Sequence, residues 1–278
     1  MIIDFHTHNF PDSIAKYALE VMVGTLGGML LPVGDGTLKK QLADLDRHGV
    51  DKAVMCPVAT KPTQADIILQ TAIAIRDGEM GEEASKRIIP FASVYPASRN
   101  YIAELTAIAN AGIKGIKIHP YYQNFSLNDP RIVPFFEVVR DLNLIVISHC
   151  GFDLGYKDAP MSCGPNEIAK LFERVPNLAS KFIAAHLGGF SGNPDHSTDI
   201  LLESGCFIDS AVIMSDVENK EASRICATWP AERMLFATDY PWASPSHHIE
   251  WLKKNRPNES EQRKIFGENA EKLLGLKV

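Results

Sequence analysis

The chain has 278 residues, of which 45% are hydrophobic and 22% are charged, and its formal net charge is −6. This composition is typical of a soluble globular protein, and the acidic balance argues against the basic surface that non-specific nucleic-acid binding requires. No apolar run reaches the roughly 20 residues of a membrane span. The length allows one large α/β barrel or two ordinary domains.

The five cysteines are an odd number, lie far apart in the sequence and form no Cys-x-x-Cys motif. This pattern predicts buried, reduced thiols rather than a disulfide framework. The first residues enter a predicted strand without the basic segment and apolar core of a secretion signal. We therefore expect a cytoplasmic protein.

Short apolar runs alternate with segments of helical periodicity along the whole chain. In chain order the first half predicts a strand at 2–8, a helix at 13–23, a glycine-rich interval at 24–36, a helix at 37–48, a strand at 52–58, a helix at 64–76, a strand at 88–94, a helix at 101–111 and a strand at 113–119. The second half predicts a helix at 132–142, a strand at 144–149, a helix at 166–174, a strand at 182–186, a helix closing at 199–203, a strand at 206–209, a helix at 217–228, a strand at 234–237, a helix near 249 and a helix at 260–274. The glycine-rich interval is either a mobile loop over a site or a solvated connector.

Eight strands alternating with helices predict a (β/α)₈ TIM barrel in the α/β class. Continuous apolar runs, rather than strict alternation, indicate strands that are covered on both faces, as in a parallel sheet. A doubly wound open sheet is the alternative, but no Gly-x-Gly-x-x-Gly turn follows the first strand. No linker or charge run divides the chain, so we expect a single domain over residues 1–278.

Histidine and aspartate recur where the predicted strands end. In a barrel of this kind the active site lies at the carboxyl ends of the strands. His6 and His8 are one residue apart on a strand, so their side chains share a face and can close on one metal ion. An ordinary pair of polar residues at the end of an edge strand is the alternative for this pair considered alone. The concentration of these residues at one rim favours a metal site there; the residues at strand ends are His6, His8, His119, His149, His186 and Asp239.

Six segments, which span residues 2–275, carry a family resemblance: IDFHTH, GIKIHP, ISHCG, AAHLGG, FATDYPW and FGENAEKLLG. In this order they resemble the amidohydrolase superfamily. Their wording is similar to its amidohydrolase-related branch, which also contains decarboxylases and hydratases such as aminocarboxymuconate semialdehyde decarboxylase. The resemblance implies one metal-dependent TIM-barrel domain. Members of the family often form dimers, so a homodimer is one candidate for an oligomeric state that the sequence leaves open.

The resemblance also implies roles for individual residues. His6, His8, His149 and Asp239 would hold one divalent metal ion, preferably zinc, although the same donors suit manganese, iron or nickel. His186 would act as the general base or orient the bound water, or else serve as a further ligand or ligand support. Asp239 would both bind the metal and accept a proton from the water.

Strand four and the loops that follow supply candidate substrate contacts. Lys117 and His119 share a face; Lys117 could pair with a substrate carboxylate, bridge two metals when carboxylated, or be a buried lysine paired with an acidic residue. We favour one metal, with Lys117 or His119 contacting the substrate. Tyr121 and Trp242 could line the pocket or could pack against the rim.

These features predict a metal-dependent hydrolase that cleaves a small amide, lactone or other ester through a metal-activated water. A non-oxidative decarboxylase or hydratase of a small carboxylic acid on the same mononuclear site is the alternative. No arginine stands directly at a strand end to clamp a carboxylate, which favours hydrolysis. A non-catalytic ligand-binding barrel is a second alternative. The expected partner is a small-molecule substrate, without nucleic acid or membrane.

Overall fold

Strands and helices alternate along the chain in a computed structural model that describes residues 1–190, 197–211 and 219–276. The strands of these residues are β1 Ile3–Thr7, β2 Lys52–Met55, β3 Ile88–Pro90, β4 Gly115–Ile118, β5 Ile145–Ser148, β6 Phe182–Ala184, β7 Phe207–Asp209 and β8 Met234–Leu235. The helices are α1 Ala15–Thr25, α2 Leu38–His48, α3 Ala65–Arg76, α4 Glu82–Arg87, α5 Tyr101–Asn110, α6 Val133–Asp141, α7 Pro165–Arg174, α8 Lys220–Thr228, α9 Pro245–Asn255, α10 Glu259–Arg263 and α11 Asn269–Leu274.

The chain packs as two compact units. The first contains Met1–Met55, Ile75–Ile89 and the described residues of Ser210–Val278; the second contains Cys56–Ala74 and the described residues of Pro90–Asp209. None of the described helices is long and apolar enough to cross a membrane.

In the first unit, β1 is the central strand. It pairs in parallel with β2, with Asp4 opposite Ala53, and the sheet order is β1-β2-β3. On its other side, the Phe5 amide donates to the Phe236 carbonyl at 2.9 Å, and Thr7 forms a parallel bridge with Tyr240. All five residues of β1 are buried, as expected for a strand that is covered on both faces. The carboxyl ends of β1 and β8 therefore meet at one edge.

In the second unit, four consecutive strands pair in parallel in the order β4-β5-β6-β7. Ile116 lies opposite Val146, and Ile147 opposite Ile183, in an unbroken register. Every residue of β4, β5 and β6 is buried. Aromatic rings of Phe135, Phe136 and Phe182 pack against one another with centroids 5.3 and 6.4 Å apart. The carboxyl ends of these strands form one edge, at which His119, His149 and His186 follow β4, β5 and β6.

The predicted order of strands is found, although each strand is shorter than its apolar run. The main omission is α4, whose charged sequence EEASKR lacks the apolar periodicity that signals a helix. The predicted helix closing at 199–203 is a 3₁₀ segment, Thr198–Ser204. The first two residues of the predicted helix at 217–228 lie outside the described residues. All five cysteines are buried and none of them forms a disulfide, which confirms that prediction.

The glycine-rich interval is attached beside the end of β8. The Val33 amide donates to the Pro241 carbonyl at 2.7 Å, and the Phe10 amide donates to the Gly36 carbonyl at 2.8 Å. A Cβ at Gly34 would lie 2.1 Å from the Tyr240 hydroxyl oxygen, so only glycine permits this close approach. The two roles predicted for the glycine-rich interval, a mobile loop over a site or a solvated connector, both stay predictions.

A substitution at Gly115, which lies at the start of β4, can test the packing of the second unit. A Cβ at this position would lie 2.5 Å from Phe91 Cε2 and 2.7 Å from the Ile145 carbonyl oxygen, and the backbone cannot yield cheaply. We expect Gly115→Ala to lower the free energy of unfolding by about 1–3 kcal/mol, as overpacking does. Gly24→Ala is the control, because that site in α1 has open space around it. Denaturant titration measures both, and an unchanged stability of Gly115→Ala would contradict the packing.

Candidate metal centre

Three side chains with donor atoms suited to a metal ion converge where β1 and β8 end. His6 and His8 come from β1 and the residue after it, and Asp239 from the segment that follows β8. Asp239 Oδ1 lies 2.9 Å from His8 Nε2 and 3.4 Å from His6 Nε2. One donor atom from each of the three lies within 4.8 Å of the other two. The strand period therefore places both histidines on one face, as predicted, and the fold adds the aspartate.

The donor set fits a divalent cation. Ligand atoms about 2.1 Å from one ion, at tetrahedral or octahedral angles, lie roughly 3.0–3.4 Å from one another. Both measured distances to Asp239 are close to this range. The rings of His6 and His8 are inclined at 68°, so their nitrogen lone pairs can converge on one point. His6 is fully buried, whereas the side chains of His8 and Asp239 are 18% and 22% exposed, which leaves one side open to a small molecule.

Asp239 has an unusual backbone conformation. Its φ is 59°, in the left-handed region that non-glycine residues adopt at a cost of roughly 1–3 kcal/mol. Its amide donates to the His6 carbonyl at 2.9 Å, and its carbonyl accepts from the Trp242 amide at 2.9 Å. These bonds hold the strained residue in place and turn its carboxylate toward the two histidines. Trp242, a predicted substrate contact, is 9% exposed.

Thr7 joins the face of β1 that lies opposite His6 and His8 to the neighbouring segments of the chain. Its hydroxyl donates to the Val54 carbonyl at 2.8 Å and accepts from Gln41 Nε2 at 2.7 Å. Thr7 stands between the two histidines in the sequence and points to the opposite face. The strand that carries both histidines is therefore anchored from the face opposite to their side chains.

The second unit contains a buried cluster of His119, His149 and Asp153. His119 Nε2 lies 3.3 Å from Asp153 Oδ2, and the other oxygen of Asp153 accepts from the Gly155 amide at 2.7 Å. The His119 ring is stacked between Tyr122 and His149, at centroid distances of 3.7 and 4.0 Å. Burial lowers the pKa of His119 to about 4, against the opposing effect of Asp153, so the ring is neutral at pH 7.

This cluster is a poor cation site despite its donor atoms. An imidazole nitrogen directs its lone pair within the ring plane, so a bound cation lies close to that plane. The His119 and His149 rings are only 13° from parallel and are stacked face to face. Two such planes share no point at which one cation could meet both nitrogens. The arrangement instead makes His119 a rigid surface against which His149 packs.

His149 and His186 are hydrogen-bonded to each other. His186 Nε2 lies 3.0 Å from His149 Nδ1, and the rings meet at 61°. The sequence predicted His186 at the end of a strand, but β6 ends two residues earlier, and His186 has a left-handed φ of 57°. Its amide donates to Asp209 Oδ1 at 2.8 Å, which supports that conformation. The roles of His149 as a fourth ligand and of His186 as a general base stay predictions.

Lys117 and Tyr121 also lie in the second unit. Lys117 is 1% exposed, and its positive charge contributes to lowering the pKa of His119 and of the Cys150 thiol, although burial raises the thiol's pKa overall. Tyr121 is 8% exposed, stacks on Tyr156 at 5.5 Å, and has a pKa raised to about 12 by burial, to which the nearby Cys163 adds. Their predicted contacts with substrate stay predictions.

Sequence reasoning missed several residues that support these clusters. Asp4 lies two residues before His6 and therefore on the same face of β1. The two-residue period of a strand could thus have identified Asp4 from the sequence. Thr238 precedes Asp239 and hydrogen-bonds to Asp4. Gln123 accepts from the His119 amide at 2.9 Å and donates to the carbonyls of Ala59 and Val94. Asp153 lies in a loop where no periodic pattern marks it.

Comparison with known sequences gives a match over nearly the whole chain. The sequence profile of a family described as Amidohydrolase matches residues 3–276. A 2-amino-3-carboxymuconate-6-semialdehyde decarboxylase of Dictyostelium discoideum is 25% identical over 338 residues, which cover 99% of this chain and 91% of that protein.

Solved structures show the fold. An uncharacterised TIM-barrel protein of Bordetella bronchiseptica matches with a TM-score of 0.74 at 17% identity, covering 99% of this chain and 98% of that one. A 5-carboxyvanillate decarboxylase of Novosphingobium aromaticivorans, complexed with manganese and 4-hydroxy-3-methoxy-5-nitrobenzoic acid, matches with a TM-score of 0.68 at 16% identity, over 99% and 96% of the two chains. The predicted TIM-barrel fold is thereby confirmed.

Metal analysis can distinguish the cluster of His6, His8 and Asp239 from the cluster of His119, His149 and Asp153. We expect His8→Ala to lose most of the bound divalent metal, because it removes a donor 2.9 Å from Asp239. His119→Phe should keep the metal, because phenylalanine preserves the stacked ring and His119 holds no cation. Elemental analysis after purification measures both, and circular dichroism controls for folding. Loss of metal from a folded His119→Phe variant would contradict the assignment.

Proposed function

We propose that this chain, which belongs to the amidohydrolase family, catalyses the metal-dependent, non-oxidative decarboxylation of a small carboxylic acid. The observation that carries the proposal is the match to a decarboxylase over 99% of this chain and 91% of that relative. Hydrolysis, the function preferred from the sequence, has less support than this alternative. The missing rim arginine had favoured hydrolysis, but the buried side chain of Lys117 is a candidate partner for a substrate carboxylate in its place.

We further propose that His6, His8 and Asp239 hold one divalent cation. Zinc is the ion that the donor set suggests, and manganese, which is bound in the carboxyvanillate decarboxylase, is the competing candidate. When bound, such an ion acts as a Lewis acid that draws electron density from a substrate oxygen. A cytoplasmic location and a homodimer stay predictions from the sequence.

The chain's own residues would account for the remaining requirements of the reaction. Decarboxylation breaks the bond between the carboxylate and the adjacent carbon; carbon dioxide leaves, the electron pair stays on that carbon, and a proton must replace the lost group. We propose that His186 in its imidazolium form, protonated from the solvent, supplies this proton and is left as neutral imidazole, with its ring oriented by the hydrogen bond between its Nε2 and His149 Nδ1. Lys117 would bind the anionic substrate through its ammonium group.

A conjugated substrate fits this chemistry, because it can delocalise the electron pair before protonation. Tyr121 and Tyr156 stack at 5.5 Å, and Tyr121 lies 6.1 Å from the His149 ring. Flat rings of this kind can pack against a planar acid. These contacts support planar aromatic or enoic carboxylic acids as the first compounds to assay.

Carbon dioxide release tests the proposal. The protein, reconstituted with Zn²⁺ or Mn²⁺, is incubated with a panel of aromatic and muconate-type acids, and in parallel with a panel of lactones, esters and amides. We expect carbon dioxide from at least one acid and no hydrolysis of the second panel. In deuterium oxide the product should carry deuterium at the carbon that lost the carboxylate.

Two variants serve as controls in the same assay. The His6→Ala/His8→Ala double variant should lose both metal and activity. His186→Asn should keep the metal and lose about 10²–10⁴-fold in kcat, the range expected for removal of a proton-transfer group. Hydrolysis without carbon dioxide release would replace the proposal by the hydrolase, and ligand binding without turnover would favour a non-catalytic barrel.

A further inference from the structure

We infer that Asp4 is a positioning residue that sets the arrangement of His6 and Asp239 before any metal binds. The inference rests on the metal site proposed above and not on decarboxylation. Asp4 lies on β1 two residues before His6, and its side chain is fully buried. It contacts the end of β8 as well as its own strand, so it touches both segments that carry the ligands.

The Asp4 carboxylate accepts three hydrogen bonds from these two segments. Oδ1 accepts from the His6 amide at 3.2 Å and from the Thr238 amide at 3.0 Å. Oδ2 accepts from the Thr238 hydroxyl at 2.5 Å. A carboxylate has two oxygens that only accept, which suits three converging donors. One buried group thus joins residues that are 234 positions apart in the sequence.

The hydrogen bonds of Asp4 and Thr238 constrain the residues directly before and after Asp239. Thr238, directly before it, is bound to Asp4, and the Thr238 hydroxyl accepts from the Tyr240 amide, directly after it, at 3.1 Å. Asp239 itself is bound to the His6 carbonyl and has a left-handed φ of 59°. Such strain persists only where the surroundings over-determine the conformation. The Asp4–Thr238 network provides this constraint at the residue whose carboxylate faces the two histidines.

The network predicts a specific effect on metal affinity. Groups that orient metal ligands typically change the affinity by about 10–100-fold when they are removed. In Asp4→Asn one of the two accepting oxygens is replaced by an NH2 group, so whichever way the amide is turned, either the Thr238 hydroxyl or the amides of His6 and Thr238 lose their acceptor. Without the carboxylate, His6 and Asp239 sample other arrangements before the cation binds. Binding then has to restore the order that Asp4 maintains in the native chain.

The test measures Mn²⁺ dissociation constants of the full chain by titration, together with the melting temperature of the metal-free protein. We expect Asp4→Asn and Thr238→Val each to weaken Mn²⁺ binding about tenfold or more. Thr238→Ser keeps the hydroxyl and should bind as the unaltered chain does, which separates the hydrogen bond from the side-chain volume. Ser210→Ala is the matched control, because it removes buried hydrogen bonds of 3.0 and 2.9 Å to Ala237 that do not involve a ligand.

Each possible result either supports or overturns the role inferred for Asp4. Weaker binding in Asp4→Asn and Thr238→Val, at a melting temperature no lower than that of Ser210→Ala, supports the inference. Affinity equal to the unaltered chain in both variants, while His8→Ala loses the metal, overturns it. Equal weakening in Ser210→Ala also overturns it, because general destabilisation would then be sufficient. Failure of the unaltered chain to bind Mn²⁺ refutes the metal site itself, whereas absence of carbon dioxide release leaves the role of Asp4 untouched.

Discussion

The buried Asp4 carboxylate is the constraint on which the arrangement of the β1 and β8 ends depends. It holds the Thr238 amide and hydroxyl on one segment and the His6 amide on the other. A buried carboxylate is costly to desolvate, and three hydrogen bonds offset that cost only while both segments stay in place. The side chains of His6 and Asp239 therefore extend from a backbone whose conformation is fixed by the hydrogen bonds of Asp4, an arrangement that suits the support of a precise site.

Orientation, more than the number of donors, distinguishes the two histidine clusters. Both contain two imidazoles and one carboxylate within reach of one another. The rings of His6 and His8 are inclined at 68°, whereas those of His119 and His149 are stacked at 13°. Only the first arrangement lets two lone pairs meet at one ion. The second cluster is better suited to orient His149, and through it His186, which is hydrogen-bonded to His149.

The sequence predicts those parts of the site that follow from local geometry. His6 and His8 share a face because strand periodicity fixes neighbouring side chains, and eight apolar runs indicate the strands of a parallel fold. The contact of Asp4 with Thr238 depends on packing between distant segments, so no local pattern could reveal it. The left-handed backbone of Asp239 and His186 was equally hidden, because neither residue type requires it. Substrate chemistry was underdetermined, and the preference for hydrolysis rested on a missing arginine rather than on a residue present.

Anomalous X-ray diffraction from crystals of the Mn²⁺-loaded protein, recorded near the manganese absorption edge, would locate the bound ion. We predict one anomalous peak per chain, within coordination distance of His6 Nε2, His8 Nε2 and an Asp239 carboxylate oxygen. A peak between His119 and Asp153, or no peak near His6, would contradict the proposed metal site. Two peaks would contradict the mononuclear site and direct attention to Lys117 as a bridging ligand.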